Sequence, residues 1–182
     1  MSYSIDANIL LYASDTSSEW HRPAKDFLEG RVSDPDILCL TWPVLLAYQR
    51  IATHPGTFAR PLPPDTAWAN VCQLLSLPRA TIVTENENFA GDYQRVAAGV
   101  VATGNLVPDA HVATILLQHG VRRIYSADTD FRKFDFLEVI NPLGGKTRGR
   151  TRSQDRSQPR TNFVPATTST TASSKTMPRE GR

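Results

Sequence analysis

The chain has 182 residues, 40% apolar and 21% charged, enough for one domain of ordinary size plus a tail and too many for a stapled mini-protein. Lys and Arg total 20 and Asp and Glu 18, but from Gly144 onward nine basic residues meet only Asp155 and Glu180. The tail therefore carries +7 and residues 1–143 carry −5, which excludes a generally basic domain.

Cys39 and Cys72 each sit inside an apolar run, which excludes a disulfide framework or zinc cluster and reads as core filler in a reducing compartment. No positive leader precedes Asp6 and no apolar run approaches ~18 residues, so a cytoplasmic protein with no membrane contact is expected.

Residues 1–143 alternate short β-branched apolar runs with stretches of helical spacing, the pattern of an α/β domain with a parallel sheet. A strand is expected at 3–5, followed by Asp6 and the apolar run Ala7-Asn8-Ile9-Leu10-Leu11. Residues 18–30 read as a helix, with Trp20, Ala24, Phe27 and Leu28 on one face and Gly30 as its C-terminal cap. A strand at 37–41 leads to helices at 42–53 and 64–77. A strand at 81–83 leads to helices at 86–100 and 108–119, the last opened by Pro108 and closed by Gly120. Strands at 123–126 and 138–140 complete the domain. Residues 144–182 are rich in Ser, Thr, Arg and Pro, with almost nothing to offset an ordering cost of ~1–2 kcal/mol per residue, and are expected to form a disordered basic tail.

Three aspartates fall where ligands collect in open parallel sheets, at strand ends and helix starts. Asp6 follows the first strand, Asp109 is the second residue of the helix opened by Pro108, and Asp128 follows the fourth strand. Each has a local explanation: a helix N-cap for Asp6, a helix-dipole contact for Asp109, a turn for Asp128. Brought together by a parallel sheet, however, they repel by ~4 kcal/mol per pair at ~4 Å and an effective dielectric of 20. A hard divalent cation relieves that repulsion, and it can activate water against a phosphodiester.

These residues and their surroundings resemble the PIN-domain ribonucleases, most closely the VapC toxins of bacterial toxin–antitoxin pairs. The segments that carry the likeness are Ser4-Ile5-Asp6-Ala7-Asn8-Ile9-Leu10-Leu11-Tyr12, Thr41-Trp42-Pro43-Val44-Leu45-Leu46-Ala47, Arg50-Ile51-Ala52-Thr53-His54-Pro55, Gly104-Asn105-Leu106-Val107-Pro108-Asp109-Ala110-His111, Ser126-Ala127-Asp128-Thr129-Asp130-Phe131 and Asn141-Pro142-Leu143. The resemblance covers residues 1–143 and implies a three-layer α/β/α sandwich with a short, mainly parallel central sheet. It also implies a Mg2+- or Mn2+-dependent endoribonuclease with Asp6, Asp109 and Asp128 as metal-binding and catalytic residues, an RNA substrate, a VapB-type antitoxin and a homodimer. Many relatives place a glutamate where this chain has Ala47, and no acid lies between Asp36 and Asp65. The alternative is therefore a degenerate, non-catalytic module acting through its antitoxin.

Among other residues, Asn8 reads either as a positioner of Asp6 or as a helix cap, and Asp130 as a turn cap or a helper acting through water. His111, about 200° around the helix from Asp109, points away from it. His54 is a helix-end residue, Glu85 and Glu87 suit the dipole of the helix they precede, and Trp20, Trp42 and Trp68 read as core or dimer packing. Arg50, Arg60, Arg122, Arg123, Arg132 and Lys133 are the candidate phosphate contacts of the domain. A phosphatase-type nucleophile loop at Asp128-Thr129-Asp130 is disfavoured because a single strand follows it.

Overall fold

The structure, a computed structural model, describes residues 1–57 and 60–144; apart from Gly144, the expected tail at 144–182 lies outside the described residues. In chain order the elements are β1 (Ser2–Ile5), α1 (Ala7–Ser14), α2 (His21–Glu29), β2 (Ile37–Leu40), α3 (Trp42–Ala52), α4 (Pro64–Leu75), β3 (Ala80–Ile82), α5 (Phe89–Val100), α6 (Leu106–Gln118), β4 (Arg123–Tyr125) and β5 (Glu138–Ile140). Single 3-10 turns stand at Gly30–Ser33 and Asp130–Lys133.

The five strands form one parallel sheet in the order β3-β2-β1-β4-β5. Strands so short hold because both faces are covered: Tyr3, Ser4 and Ile5 in β1 and Leu38, Cys39 and Leu40 in β2 are all buried. The chain runs outward from β1 through β2 to β3, then crosses back to β4 and β5. With right-handed crossovers this reversal places helices on both faces, giving the expected three layers. It also makes the β1–β4 junction a topological switch point, with a crevice at the carboxyl ends of those two strands.

Ile5, Ile9, Leu10, Leu40, Leu45, Ile115, Leu116 and Phe131 anchor one continuous core. A polar link runs through it: Asn70 Nδ2 of α4 donates to the Tyr48 hydroxyl of α3 at 2.9 Å, and Ser14 Oγ of α1 lies 3.3 Å from the same oxygen. Helix α3 also packs on α6, so the two helices that flank the switch point touch.

Several sequence expectations change. Gly30 is the C-cap of α2 as expected, but at φ −62° it stays right-handed and carries the chain on into a 3-10 turn. Helix α6 starts at Leu106, two residues before Pro108, which fits because N–H groups in a helix's first turn need no helical acceptor. Asp109 is thus its fourth residue. Gly120, at φ +65°, ends α6 as expected. Cys39 is buried but Cys72 is exposed on α4. None of the three tryptophans is core: Trp20 and Trp42 are 37% exposed and Trp68 41%, the last two stacked with ring centroids 6.5 Å apart.

Candidate active site

The parallel register sets the site. Ser4 pairs with Ile124 and Ile5 with Tyr125, so the next residues, Asp6 and Ser126, stand side by side at the carboxyl edge. The Asp6 N–H bonds to the Tyr125 carbonyl at 2.9 Å, and Ser126 Oγ donates to Asp6 Oδ2 at 2.7 Å. Asp6 occupies the N-cap position of α1; no regular side-chain capping bond closes there, although the N–H groups of Ala7 and Asn8 lie near enough to hold its pKa down. Burial pushes its carboxyl up to about 6; the Ser126 bond works against that shift, and the charge of Asp128 adds to it.

Ser126 is buried and fully engaged. Its oxygen accepts Asn8 Nδ2 at 3.0 Å and the Asp128 N–H at 2.9 Å while its proton goes to Asp6, using one donor and two lone pairs. Asn8 Oδ1 accepts the Ala127 N–H at 3.2 Å. Asn8 therefore positions Asp6 through Ser126 and ties α1 to the loop after β4. Sequence reading quoted Ser126 but gave it no role, and the signal that finds it is its register opposite Asp6.

Asp109 enters from the first turn of α6. A helix dipole alone would lower its pKa, but burial, followed by the charges of Asp6, Asp128 and Asp130, pushes it up to about 7. Asp128 is exposed, and its Oδ1 accepts the Asp130 N–H at 2.9 Å, so it is a turn residue as well as a member of this field. Asp130 pairs with Lys133 at 2.8 Å. The pKa of the Tyr12 hydroxyl, on α1, is raised by burial and then by the charge of Asp128; sequence reading did not single it out.

The structure thus brings Asp6, Asp109, Asp128 and Asp130 into one electrostatic field from three distant segments. They are not drawn into a closed cluster: among the described residues, no three His, Cys, Asp or Glu side chains are grouped to hold a metal ion. Ala47 is half-buried in α3, a helix with no acid to offer. His111 does point away, with Nε2 2.6 Å from Glu85 Oε1, so Glu85 also serves as its hydrogen-bond partner. His54 closes the end of α3 as expected, its Nδ1 accepting the Gly56 N–H at 3.0 Å.

A family model described as PIN domain matches residues 3–137. Ribonuclease VapC48 of Mycobacterium tuberculosis is 39% identical over 145 residues, which is 80% of this chain and 100% of that protein. Ribonuclease VapC37 of the same species is 40% identical over 131 residues, 72% of this chain and 90% of that protein. The solved VapBC2 structure from Rickettsia felis matches in fold, with a TM-score of 0.56 at 16% identity over 78% of this chain and 98% of that one. The chain belongs to the PIN-domain family. Within it, the relatives it matches over most of its length are VapC ribonucleases.

Proposed function

We propose that the protein is the toxin of a type II toxin–antitoxin system, an endoribonuclease that hydrolyses RNA phosphodiester bonds with Mg2+, or Mn2+ in its place, at Asp6, Asp109 and Asp128. The observation that carries this reading is the coupling of Asp109 to Asp6, Asp128 and Asp130 at the switch point of the sheet. Such crowding costs stability unless a cation offsets it. The donors fit a hard divalent ion, since all are oxygens and two are carboxyls whose pKa values burial and then neighbouring negative charge push up to about 6 and about 7. Bound there, the ion would supply an activated water and neutralise charge on the phosphorus.

The chain's own residues do the rest. Ser126 fixes the rotamer of Asp6, Asn8 fixes Ser126, and the Asx turn of Asp128 holds the loop that faces them. The non-catalytic alternative rests on Ala47 alone, whereas a buried Ser126 bonded to the half-buried Asp6 suits a working site.

The expected partners are an RNA substrate, a VapB-type antitoxin and a second copy of the chain. The solved relatives include VapBC complexes, and the exposed Trp42, Leu46 and Trp68 offer an apolar face suited to protein contact. Of the candidate phosphate contacts, Arg123 is occupied by Glu138 at 2.9 Å and Asp36 at 3.7 Å, and Lys133 by Asp130. Arg50, Arg122 and Arg132 are exposed. Among the described residues no helix is long and apolar enough to cross a membrane.

The purified protein should cleave RNA with added Mg2+ and lose at least ~100-fold of that activity as Asp6→Ala. Equal cleavage by the two would overturn the assignment.

A further inference from the structure

On the other side of β1 from β4 lies β2, and Thr41 is the residue that follows it. Ser2 pairs with Ile37 and Tyr3 with Leu38. Both strands stay extended past their ends, with Asp6 at φ −81°, ψ 154° and Thr41 at φ −116°, ψ 143°. Counted three residues past the last paired residues, Tyr3 and Leu38, the same register brings Thr41 opposite Asp6 on the same face of the sheet. The carboxyl edge then reads Thr41, Asp6, Ser126 across β2, β1 and β4.

Thr41 is fully buried, and its Oγ1 has no hydrogen-bond partner. The ordinary duty of a threonine here is to cap the following helix, yet its side chain makes no capping bond to α3. The sequence removes half of that option, because an N-cap oxygen bonds the N–H of the second or third helical residue and the second is Pro43, which has none. A buried hydroxyl left without a partner is disfavoured unless another state of the protein uses it. Helix α3, which Thr41 heads, packs directly on α6, the carrier of Asp109.

We propose that Thr41 is a positioning residue of the acidic site: when a divalent cation is bound, its hydroxyl fixes the Asp6 carboxylate from the β2 side, directly or through one ordered water, as Ser126 fixes it from the β4 side. The inference rests on the cation-binding reading given above. Its rival is a structural water shared with Ser4, whose Oγ is also buried and unpartnered two residues before Asp6 on the same face of β1. The two differ in sign. A hydroxyl reserved for the ion-bound state contributes nothing to the metal-free fold, whereas a hydroxyl holding a structural water contributes with or without metal.

The experiment uses the full chain as wild type, Thr41→Val and Thr41→Ser. Mn2+ binding is titrated by electron paramagnetic resonance of the free ion, and thermal unfolding is followed in EDTA. Thr41→Val should unfold at the wild-type temperature or above it in EDTA and bind Mn2+ about 10- to 100-fold more weakly, the loss usual for partners that orient metal ligands. Thr41→Ser should recover most of the affinity. Wild-type affinity in Thr41→Val, or a lower unfolding temperature for it in EDTA, overturns the inference while leaving the acidic site standing. A wild-type protein that binds no Mn2+ overturns both.

Discussion

At pH 8 without a cation, Asp6 and Asp109 are anions in surroundings that favour their neutral forms. Their folded-state pKa values, about 6 and about 7, lie above the ordinary carboxylate value of 3.8. Ionisation therefore costs stability above those values, and the cost fades as the pH falls through them and is gone near pH 4. Asp109→Asn should stabilise the metal-free protein by roughly 1–3 kcal/mol at pH 8, after discount for its partial exposure, and by little at pH 4.5. Urea unfolding at the two pH values measures this. A helix-dipole role alone would give the opposite sign at pH 8. The aspartates were legible because acids that recur where strands hand over to helices form a pattern. Ser126 and Thr41 were not, since a serine or threonine is common anywhere and the Ser126–Asp6 bond spans 120 positions. Only the register of the sheet reveals them.

Helix ends show what local sequence can and cannot say. Pro108 and Gly120 marked α6, but proline is tolerated throughout a first turn, so the start was placed two residues late. Gly30 caps α2 where its position suggested, but in the right-handed region, with its N–H directed to the Asp26 and Leu28 carbonyls. The left-handed cap that the sequence hides is Val101, which ends α5 at φ 52° and ψ 57°. A β-branched residue in that region is strained by about 1–2 kcal/mol. Val101→Gly should therefore raise stability by about 1 kcal/mol, part of the relief being lost to glycine's greater freedom when unfolded, with RNA cleavage unchanged. Differential scanning calorimetry of the two proteins decides this. For the tryptophans the structure removes only the core half of the expectation: apolar spacing shows that a face is covered, but whether by the chain's own core or by something else is invisible in one sequence.

Across the whole molecule, charge is separated along the chain. Strand β5 runs parallel to β1, so the polypeptide leaves the domain at the acidic edge, with Leu143 buried and its N–H held by Asn141 Oδ1 at 2.9 Å. The +7 of the residues that follow thus begins beside a domain of −5. Truncation after Gly144 should leave the unfolding temperature unchanged and weaken RNA binding about tenfold or more at ~50 mM salt, a difference that shrinks as salt rises. Filter binding across a salt series tests this. A tail without effect on RNA affinity would show that the domain finds its substrate through its own residues.

The pairing of β1 with β4 has a consequence for synthesis. A ribosome translates Asp6 more than a hundred codons before Ser126 and Asp128, and the central strand lacks one neighbour until the fourth arrives. Nascent chains and fragments cut short before that point therefore possess the first acid without the residue that aims it. Any premature stop ahead of Ser126 should yield a product harmless to the cell that makes it.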